Sequence, residues 1–237
     1  MTGGDGESQK PAESGEAVSP LKTRPGEQKV RKKNYAILAA EFHYTAPHLG
    51  ALPDTDLPEV AFVGRSNVGK SSLLGKLTST TKLVRVSKTP GQTRAIHYFK
   101  VAVRSPEGAE KELYFVDLPG YGYAKMSKTL RAEMSQLLSG YLGMREQLVA
   151  ACHLLDIRHT PTGEDKDVLQ QLFHMPYEHI IIGTKADKLV KSKRSNARGA
   201  LAKRTNRTKS EITLFSSPDQ IGREEVWTRI WNALPES

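Results

Sequence analysis

The stretch that decides the fold runs from residue 59 to residue 71 and reads EVAFVGRSNVGKS. It opens with a largely apolar run typical of a buried β-strand, and a helical pattern begins at residue 70. Residues 64–71 fit the motif G-x-x-x-x-G-K-[ST], whose glycines let successive backbone N–H groups and a helix N-terminus face phosphate oxygens. A glycine-rich turn without a ligand is the alternative, but the complete motif between a strand and a helix favours a phosphate-binding loop.

Each part of this loop has an expected role. Lys70 should reach the β- and γ-phosphates of a nucleotide and stabilise charge on the transferring γ-phosphoryl group, and Ser71 should offer its hydroxyl to Mg²⁺. The loop as a whole is predicted to cradle the phosphates with Gly64, Arg65, Ser66, Asn67, Val68, Gly69, Lys70 and Ser71.

Outward from the loop, short apolar runs alternate with helical patterns. The further strand candidates are 95–103, 112–117, 148–157, 179–184 and 211–216, and the helix candidates are 70–78, 127–142, 164–174, about 191–206, and 222–234. This order predicts a three-layer α/β domain. The runs at 95–103 and 112–117 are too close for a crossover helix, so they should form an antiparallel hairpin. We therefore expect about six strands, mostly parallel, with one antiparallel strand.

Composition limits the remaining possibilities. Residues 1–34 are rich in Gly, Ser, Glu, Pro and Lys and are predicted to be a disordered tail, whereas YAILAAEF at 35–42 is predicted to be a short amphipathic turn or helix. The 237-residue chain has room for one ordinary domain, placed at 35–237. No apolar run approaches the ~18 residues of a membrane span. The single Cys152 excludes an internal disulfide, so a cytoplasmic protein is expected.

The strand candidate at 112–117 ends in a D-x-x-G pattern formed by Asp117, Leu118, Pro119 and Gly120. Asp117 should hold Mg²⁺ through water, and the N–H of Gly120 should sense the γ-phosphate. Tyr121 follows, in the slot of a water-orienting glutamine. An aromatic ring has no amide with which to align water, so slow intrinsic turnover is expected. A tyrosine that packs the switch is compatible with the same observation.

The run at 179–184 leads into Thr184, Lys185, Ala186 and Asp187, which resemble the N/T-K-x-D guanine motif. The Asp187 carboxylate can accept hydrogen bonds from guanine N1–H and the exocyclic amine, a donor pair that adenine lacks. Lys185 should lay its stem over the base. Thr in place of the commoner Asn weakens the tetrapeptide when it is taken alone. Backbone N–H groups of Phe215, Ser216 and Ser217, at the end of the next strand candidate, are expected to contact guanine O6.

The loop KTPGQTR at 88–94 follows the first helix candidate. Its Thr93 is expected to complete the Mg²⁺ shell and to contact the γ-phosphate, so that hydrolysis would release it. A plain surface loop is the alternative.

Together these stretches resemble the EngB (YihA/YsxC) group of TRAFAC-class GTPases over about residues 35–235. The resemblance rests on AEFHYTAPHLGALPDTDLPEVAFVGRSNVGKSSLL, SKTPGQTR, DLPGYGYAK, LLDIRHTPTGED and TKADKL, of which DLPGYGYA and D-x-R-H-x-P-T are the more specific. It implies a Ras-like P-loop GTPase fold, with Mg²⁺ at Ser71 and Thr93. It implies GTP contacts from Gly64 to Ser71, from Asp117 to Gly120, from Thr184 to Asp187, from Phe215 to Ser217, and at Gly91, Gln92, Thr93, Arg94 and Ala95. It further implies a role in assembly of the large ribosomal subunit and in normal cell division and septation.

Two features keep more than one interpretation. Related GTPases with Asn at the position of Asn67 can bind K⁺ where an arginine finger would place its charge, and an Asn that only stabilises the loop turn is the alternative. In the string DIRHTPT at 156–162, Asp156 and Arg158 are expected to form an ion pair that orders the loop. A docking surface is the alternative there, and catalysis by His159 is disfavoured.

The net charge of +9 has a location. Nine basic residues and no acidic residue lie from Lys188 to Lys209, so the remainder of the chain sums to zero. A solvated helix face is the ordinary interpretation, but the absence of acids favours a phosphate backbone as partner. The segment has no aromatic residue, so we expect docking by shape and charge on structured RNA, without base stacking. The resemblance implies that this RNA belongs to the large ribosomal subunit. A monomer without a membrane partner is expected.

Three classes of function remain. A slowly hydrolysing GTPase switch is favoured. A non-hydrolysing, GTP-dependent RNA-binding or septation scaffold is the second class. A P-loop ATPase or kinase is the third, and the T-K-A-D segment disfavours it.

Overall fold

The computed structural model describes residues 34–80, 95–122 and 127–236. Its strands are β1 Ala36–Ala46, β2 Glu59–Gly64, β3 Ile96–Arg104, β4 Glu110–Asp117, β5 Leu148–Asp156, β6 Glu178–Thr184 and β7 Ile212–Leu214. Its α-helices are α1 Lys70–Leu77, α2 Lys128–Met144, α3 Gly163–Phe173, α4 Lys191–Arg204 and α5 Arg223–Ala233. No helix in these ranges combines the length and the hydropathy that crossing a bilayer requires.

All of these strands form one sheet in the order β1-β3-β4-β2-β5-β6-β7. β3 pairs antiparallel with β1 and β4, and the other neighbouring pairs are parallel, so among the described strands β3 alone runs against the rest. The predicted hairpin pairs His97 with Asp117 and Arg104 with Glu110. The predicted Ras-like α/β fold, with a mostly parallel sheet and one antiparallel strand, is confirmed, with seven strands in place of about six.

The additional strand is β1, and the prediction of a short turn or helix at 35–42 was wrong. β1 pairs with β3 from Ala36 opposite Arg104 to Ala46 opposite Ile96, with two register shifts. Its alanines favour helix by only tenths of a kcal/mol each, whereas pairing satisfies the backbone groups along the outer edge of β3. The Tyr35 ring fixes the start of the strand, because it lies 5.9 Å from the Trp227 ring and 5.7 Å from the Trp231 ring.

Helices cover both faces of the sheet. On one face α1 and α5 pack over a core in which Trp227 is fully buried, with its ring centroid 5.3 Å from that of Phe115. On the other face α2 and α3 pack, with Tyr141 and Leu172 buried. Because both faces are covered, β2 is buried along its whole length and has no alternation of polar and apolar residues.

The amino end of β2 is held by a buried ionic cluster around Glu59, which is fully buried. Its carboxylate accepts hydrogen bonds from Arg145 Nε at 3.0 Å, Tyr141 Oη at 2.6 Å and Thr55 Oγ1 at 3.1 Å. Arg145 Nη2 also donates to the Pro53 carbonyl at 2.8 Å. The cluster thus joins β2, the end of α2 and the connector that precedes β2, at the end of the strand remote from the phosphate loop.

Apart from β1, the predicted boundaries all lie within two residues of the observed ones. β7 ends at Leu214, two residues before its predicted end, because the chain then turns and the Phe215 carbonyl accepts from the Ala186 N–H at 3.1 Å. Residues 1–33 of the predicted tail at 1–34 lie outside the described residues, so both the tail and the 35–237 domain remain predictions.

Candidate functional site

A cleft of about 430 Å³ lies at the carboxyl ends of β2 and β4, where ligands of open α/β sheets bind. It brings together residues from the predicted phosphate loop, the D-x-x-G segment and the T-K-A-D segment. The lining residues are Arg65, Ser66, Asn67, Gly69, Lys70, Ser71, Ser72, Ala95, His97, Asp117, Leu118, Pro119, Gly120 and Lys185.

The phosphate loop depends on two glycines for its path. Gly69 has a φ of 111°, a left-handed conformation that glycine adopts without strain, and α1 begins at the next residue. Gly64 packs so closely that an added Cβ would lie 2.8 Å from the Leu154 carbonyl oxygen. Asn67 is also left-handed, with a φ of 62°. These conformations turn the loop from the end of β2 into the first turn of α1, as phosphate binding by backbone N–H groups requires.

Lys70 spans the cleft from α1 to the end of β4. Its ammonium group forms an ion pair with the Asp117 carboxylate and donates a hydrogen bond to the Leu118 carbonyl at 2.6 Å. Only 13% of the Lys70 side chain and 3% of the Asp117 side chain are exposed. The cleft therefore holds a cation, Lys70, beside a buried anion, Asp117. With a nucleotide bound, the cation would contact phosphate and the anion would serve the metal ion.

The residues predicted to hold Mg²⁺ fit that ion where they are described. Ser71, in the first turn of α1, and Asp117, at the end of β4, both line the cleft and offer hydroxyl and carboxylate oxygens, the hard donors that Mg²⁺ prefers. Thr93 lies outside the described residues, as do Gly91, Gln92 and Arg94. Of the predicted contacts at 91–95, Ala95 is described, and it lines the cleft.

The D-x-x-G segment is joined to the phosphate loop by its backbone. The Ser66 N–H donates to the Tyr121 carbonyl at 2.8 Å, and Ser66 Oγ donates to the Gly120 carbonyl at 3.3 Å. The Tyr121 side chain does not line the cleft. Its hydroxyl donates to Asp165 Oδ1 at 2.7 Å and lies 2.8 Å from His153 Nε2.

The two predicted guanine-binding segments meet. The Ala186 N–H donates to the Phe215 carbonyl at 3.1 Å, and Ser216 Oγ donates to Asp187 Oδ1 at 3.1 Å. The second carboxylate oxygen of Asp187, Oδ2, lies 3.5 Å from Lys188 Nζ, and 14% of the Asp187 side chain is exposed. Ser217 lies next in the same loop and is half-buried. The geometry thus presents an oriented carboxylate beside a backbone loop, as guanine recognition needs.

Thr184 ties this region to the phosphate loop. Its buried hydroxyl lies 2.7 Å from the Val68 carbonyl and 3.2 Å from the Leu155 carbonyl, so a single proton is shared between two acceptors. The next residue, Lys185, is left-handed with a φ of 60°, and its ammonium lies 3.0 Å from Asp156 Oδ2. Thr184 therefore takes the place of the commoner Asn at the first position of the motif, and its hydroxyl has a structural role.

The predicted ion pair between Asp156 and Arg158 is confirmed. Arg158 Nε donates to Asp156 Oδ1 at 2.9 Å and Nη2 donates to Oδ2 at 2.7 Å. Burial alone would raise the pKa of Asp156, but hydrogen bonds from Arg158 and Lys185 outweigh it and hold this pKa well below its usual range. The contact with Lys185 was not anticipated, and it links the loop to the guanine motif. The loop and phosphate-loop residues 65–68 line a second cavity of about 220 Å³.

Ion pairs neutralise part of the positive charge of the basic segment. Four of its residues pair with carboxylates, all from outside the segment: Lys188 with Asp187, Arg194 with Asp219, Arg198 with Glu225 and Arg207 with Glu211. Lys193, Lys203 and Arg204 are exposed along α4. The fold also brings an aromatic residue to the segment, since the half-exposed Phe173 ring lies 5.5 Å from the Arg207 guanidinium.

Sequence reasoning missed His153 and Asp165, which hold the Tyr121 hydroxyl. His153 is hidden within an apolar run and is fully buried in β5. Asp165 forms a capping box with Thr162 at the start of α3, and the T-x-x-D spacing is the signal that could have indicated it.

Comparisons with known proteins agree with this geometry. A family model described as "50S ribosome-binding GTPase" matches residues 59–185. The probable GTP-binding proteins EngB of Bacillus thuringiensis (strain Al Hakam) and Bacillus cereus (strain AH187) are each 42% identical over 179 residues, which cover 75% of this chain and 86% of the relative.

Two solved structures show the same fold. A crystal structure of a probable GTP-binding protein EngB matches with a TM-score of 0.59 at 22% identity, covering 74% of this chain and 97% of that chain. Era in complex with MgGDPNP and nucleotides 1506–1542 of 16S ribosomal RNA matches with a TM-score of 0.58 at 23% identity, covering 78% of this chain and 59% of that chain. Given its identity to the Bacillus proteins over three quarters of its length, the chain belongs to the EngB family of GTP-binding proteins.

Proposed function

We propose that this protein is a slow GTPase switch in late assembly of the large ribosomal subunit. It binds Mg·GTP, docks on a maturing subunit and leaves after hydrolysis. The observation that carries the proposal is the convergence of the phosphate loop, the D-x-x-G segment and Lys185 of the T-K-A-D segment at one cleft. The family model's description, "50S ribosome-binding GTPase", supports the choice of partner.

Phosphoryl transfer requires mainly positioning and electrostatic stabilisation. Lys70 and the loop N–H groups would hold the β- and γ-phosphates, and Thr93 would contact the γ-phosphate. Ser71 and Thr93 would hold Mg²⁺, which supplies neutralising charge when it is bound. The short reach from Lys70 to Asp117 supports this arrangement, because both charged groups already lie at the same end of the cleft.

Guanine selection would rest on Asp187. The Ser216 hydroxyl occupies one of its oxygens and fixes the carboxylate plane, so the remaining acceptor positions can receive guanine N1–H and the exocyclic amine. Adenine has no donor pair to offer this half-buried carboxylate, which disfavours the ATPase or kinase alternative.

Slow intrinsic turnover follows from Tyr121. The side chain in the slot of the water-orienting glutamine is directed into the protein, where its hydroxyl is held by Asp165 and His153. No amide is available from this position to align water. Hydrolysis would then wait for the ribosomal partner or for K⁺ near Asn67, whose left-handed backbone places the side chain at the edge of the cleft.

Docking on RNA would use the exposed cations of α4. Lys193, Lys203 and Arg204 have no carboxylate within ion-pair distance in the described residues, in contrast to Arg194 and Arg198. Phosphate groups of structured RNA would bind these three cations without breaking an ion pair within the protein. Action in the cytoplasm as a monomer, and an effect on division and septation through ribosome supply, complete the proposal.

The decisive experiment measures multiple-turnover phosphate release from GTP, with and without large-subunit precursors, in Na⁺ and in K⁺. We expect slow release by the isolated protein and acceleration by the particles. Fast release by the isolated protein would contradict the proposal. No release under any condition would favour the scaffold alternative, and effective competition by ATP would favour the ATPase or kinase.

A further inference from the structure

The hydroxyl of Tyr121 is held by two buried groups, which the function proposed above uses only to keep the side chain turned into the protein. It donates its only proton to Asp165 Oδ1 at 2.7 Å, and His153 Nε2 lies 2.8 Å away. His153 Nε2 must therefore carry a proton and donate it to the Tyr121 oxygen. The other ring nitrogen of His153 is buried without a partner among the described residues. Tyr121, Asp165 and His153 are called the Tyr121 clasp below.

The clasp is built to stay hydrogen-bonded. Burial, the charge of Asp165 and the hydrogen bond to it raise the pKa of Tyr121 far above its ordinary value, so the hydroxyl remains a donor. Asp165 is 4% exposed, and His153 is fully buried. Water therefore cannot replace these partners without opening the packing between β5 and α3.

Asp165 divides its carboxylate between two segments. Oδ1 accepts the Tyr121 hydroxyl, while Oδ2 accepts from the Thr162 N–H and hydroxyl, each at 2.8 Å. The strings DLPGYGYA and DIRHTPTGED, whose specificity the sequence already indicated, thus meet at this one side chain. The first segment carries the expected γ-phosphate sensor, and the second begins α3.

The other end of Tyr121 is fixed to the phosphate loop. Its carbonyl accepts from the Ser66 N–H at 2.8 Å, and the neighbouring Gly120 lies so close that an added Cβ would be 3.2 Å from the Ser66 nitrogen. Tyr121 therefore connects the phosphate loop, through its backbone, to the α3 N-terminus, through its side chain. The position of Gly120 is determined between these two attachments.

We propose that Asp165 and His153 are positioning residues for GTP hydrolysis, which act through Tyr121 to hold the Gly120 N–H in place for the γ-phosphate. The inference rests on the proposed function, in which Gly120 senses that phosphate. GDP lacks the γ-phosphate that the Gly120 N–H would contact. The clasp should therefore support binding of GTP and its turnover, and should contribute nothing to binding of GDP.

The test uses Tyr121→Phe in the full chain, which removes the hydroxyl and leaves the ring and the Asp165–Thr162 capping box. We expect kcat and the affinity for a non-hydrolysable GTP analogue to fall at least about fivefold, since a charge-assisted hydrogen bond is lost, while GDP affinity stays within about twofold. Tyr177→Phe is the matched control, because it removes another half-buried hydroxyl, which donates to the Leu142 carbonyl at 3.0 Å. It should lower Tm similarly and leave the GTP:GDP affinity ratio unchanged.

Asp165→Asn supplies the second arm. Its effect on the GTP:GDP ratio should not add to that of Tyr121→Phe, because both changes weaken the same bond. A Tyr121→Phe variant with the parent's kcat and affinity ratio would show that the tyrosine only packs, and would overturn the proposal. The parent is assayed alongside. A parent that releases no phosphate would refute the proposed GTPase function instead, so the two failures are distinguishable.

Discussion

Thr184 shows how a single side chain can hold two parts of this site together. Its buried hydroxyl joins the carbonyl of Val68, in the phosphate loop, to that of Leu155, in β5, so the guanine motif and the phosphate loop are held together from beneath. The phosphate loop and the T-K-A-D segment were predictable because local sequence determines their backbone conformation. The partners of Tyr121 were not, because their contacts depend on packing between distant segments.

The predicted guanine contact of Asp187 can be tested by an isosteric change. In Asp187→Asn an amide donor replaces a carboxylate oxygen, so one of the two guanine donors loses its acceptor. We expect GDP affinity, measured by calorimetry, to fall by roughly 10- to 150-fold, the value of one charge-assisted hydrogen bond. Asp219→Asn, an exposed acid of the same loop region that pairs with Arg194, is the control and should change affinity little. Equal affinities for parent and Asp187→Asn would refute the assignment.

The stacked histidines of β5 and β6 predict a pH dependence of stability. Burial lowers the pKa of His153 to about 3, and burial with the charges of His153 and Arg207 lowers the pKa of His179 to about 3. The unfolded chain, with ordinary histidine pKa values near 6.5, therefore binds more protons below that pH, and stability is lost as pH falls from about 6.5 toward 3. Each histidine should remove about 2 kcal/mol between pH 7 and pH 5.

His179→Phe isolates this contribution, since it keeps a ring against His153, whose centroid lies 5.8 Å away, and removes one titrating group. Urea unfolding at pH 7, 6 and 5 should show a shallower loss of stability for the variant than for the parent. Identical losses would contradict the assignment.

Strands covered by helices on both faces could be identified from the sequence, whereas the edge strand could not. β2, β5 and β6 lie inside the sheet with helices on both faces, and their apolar runs identify them directly. β1 is an edge strand with several exposed residues, so its sequence resembles an amphipathic helix and only pairing with β3 determines its conformation. Glu59 was also unpredictable, because Arg145, its partner, is 86 residues away in the chain.

The Glu59 cluster joins three elements, and its loss should be costly. Arg145→Met leaves a fully buried carboxylate without its cation, and we expect a loss of about 3–5 kcal/mol in the free energy of unfolding. The control is Arg104→Met, which breaks the exposed pair with Glu110 and should cost no more than about 1 kcal/mol. Urea unfolding of the two variants provides the comparison. Equal costs would mean that the buried pair contributes no more than a surface pair.

At the scale of the whole molecule, the distribution of charge is the basis on which a face is proposed to dock on RNA. The formal charge of +9 resides in one segment, yet the fold neutralises part of it through Asp219, Glu225 and Glu211. The sequence located the basic segment correctly. It could not show which cations are already paired, because Asp219 and Glu225 follow the segment at some distance along the chain and only the fold brings them to it.

Reversing three of the cations that have no carboxylate partner in the described part of the chain should weaken docking. We expect Lys193→Glu combined with Lys203→Glu and Arg204→Glu to reduce co-sedimentation with large-subunit particles and to lower the salt slope of binding by roughly 2 to 3, since each phosphate contact contributes about 0.7 to 0.9. Phe173→Ala is the companion variant, because it removes no charge and should leave the slope unchanged. Unaltered co-sedimentation of the triple variant would exclude this face.

The chain contains two tryptophans, and both lie on α5. Trp227 is fully buried, with its indole N–H donating to the Leu77 carbonyl at 3.1 Å, and Trp231 packs against Tyr35. Intrinsic fluorescence therefore reports on the side of the domain that α1 and α5 cover, away from Tyr121. Emission should shift strongly to the red on unfolding, which makes it a direct optical signal for the stability measurements.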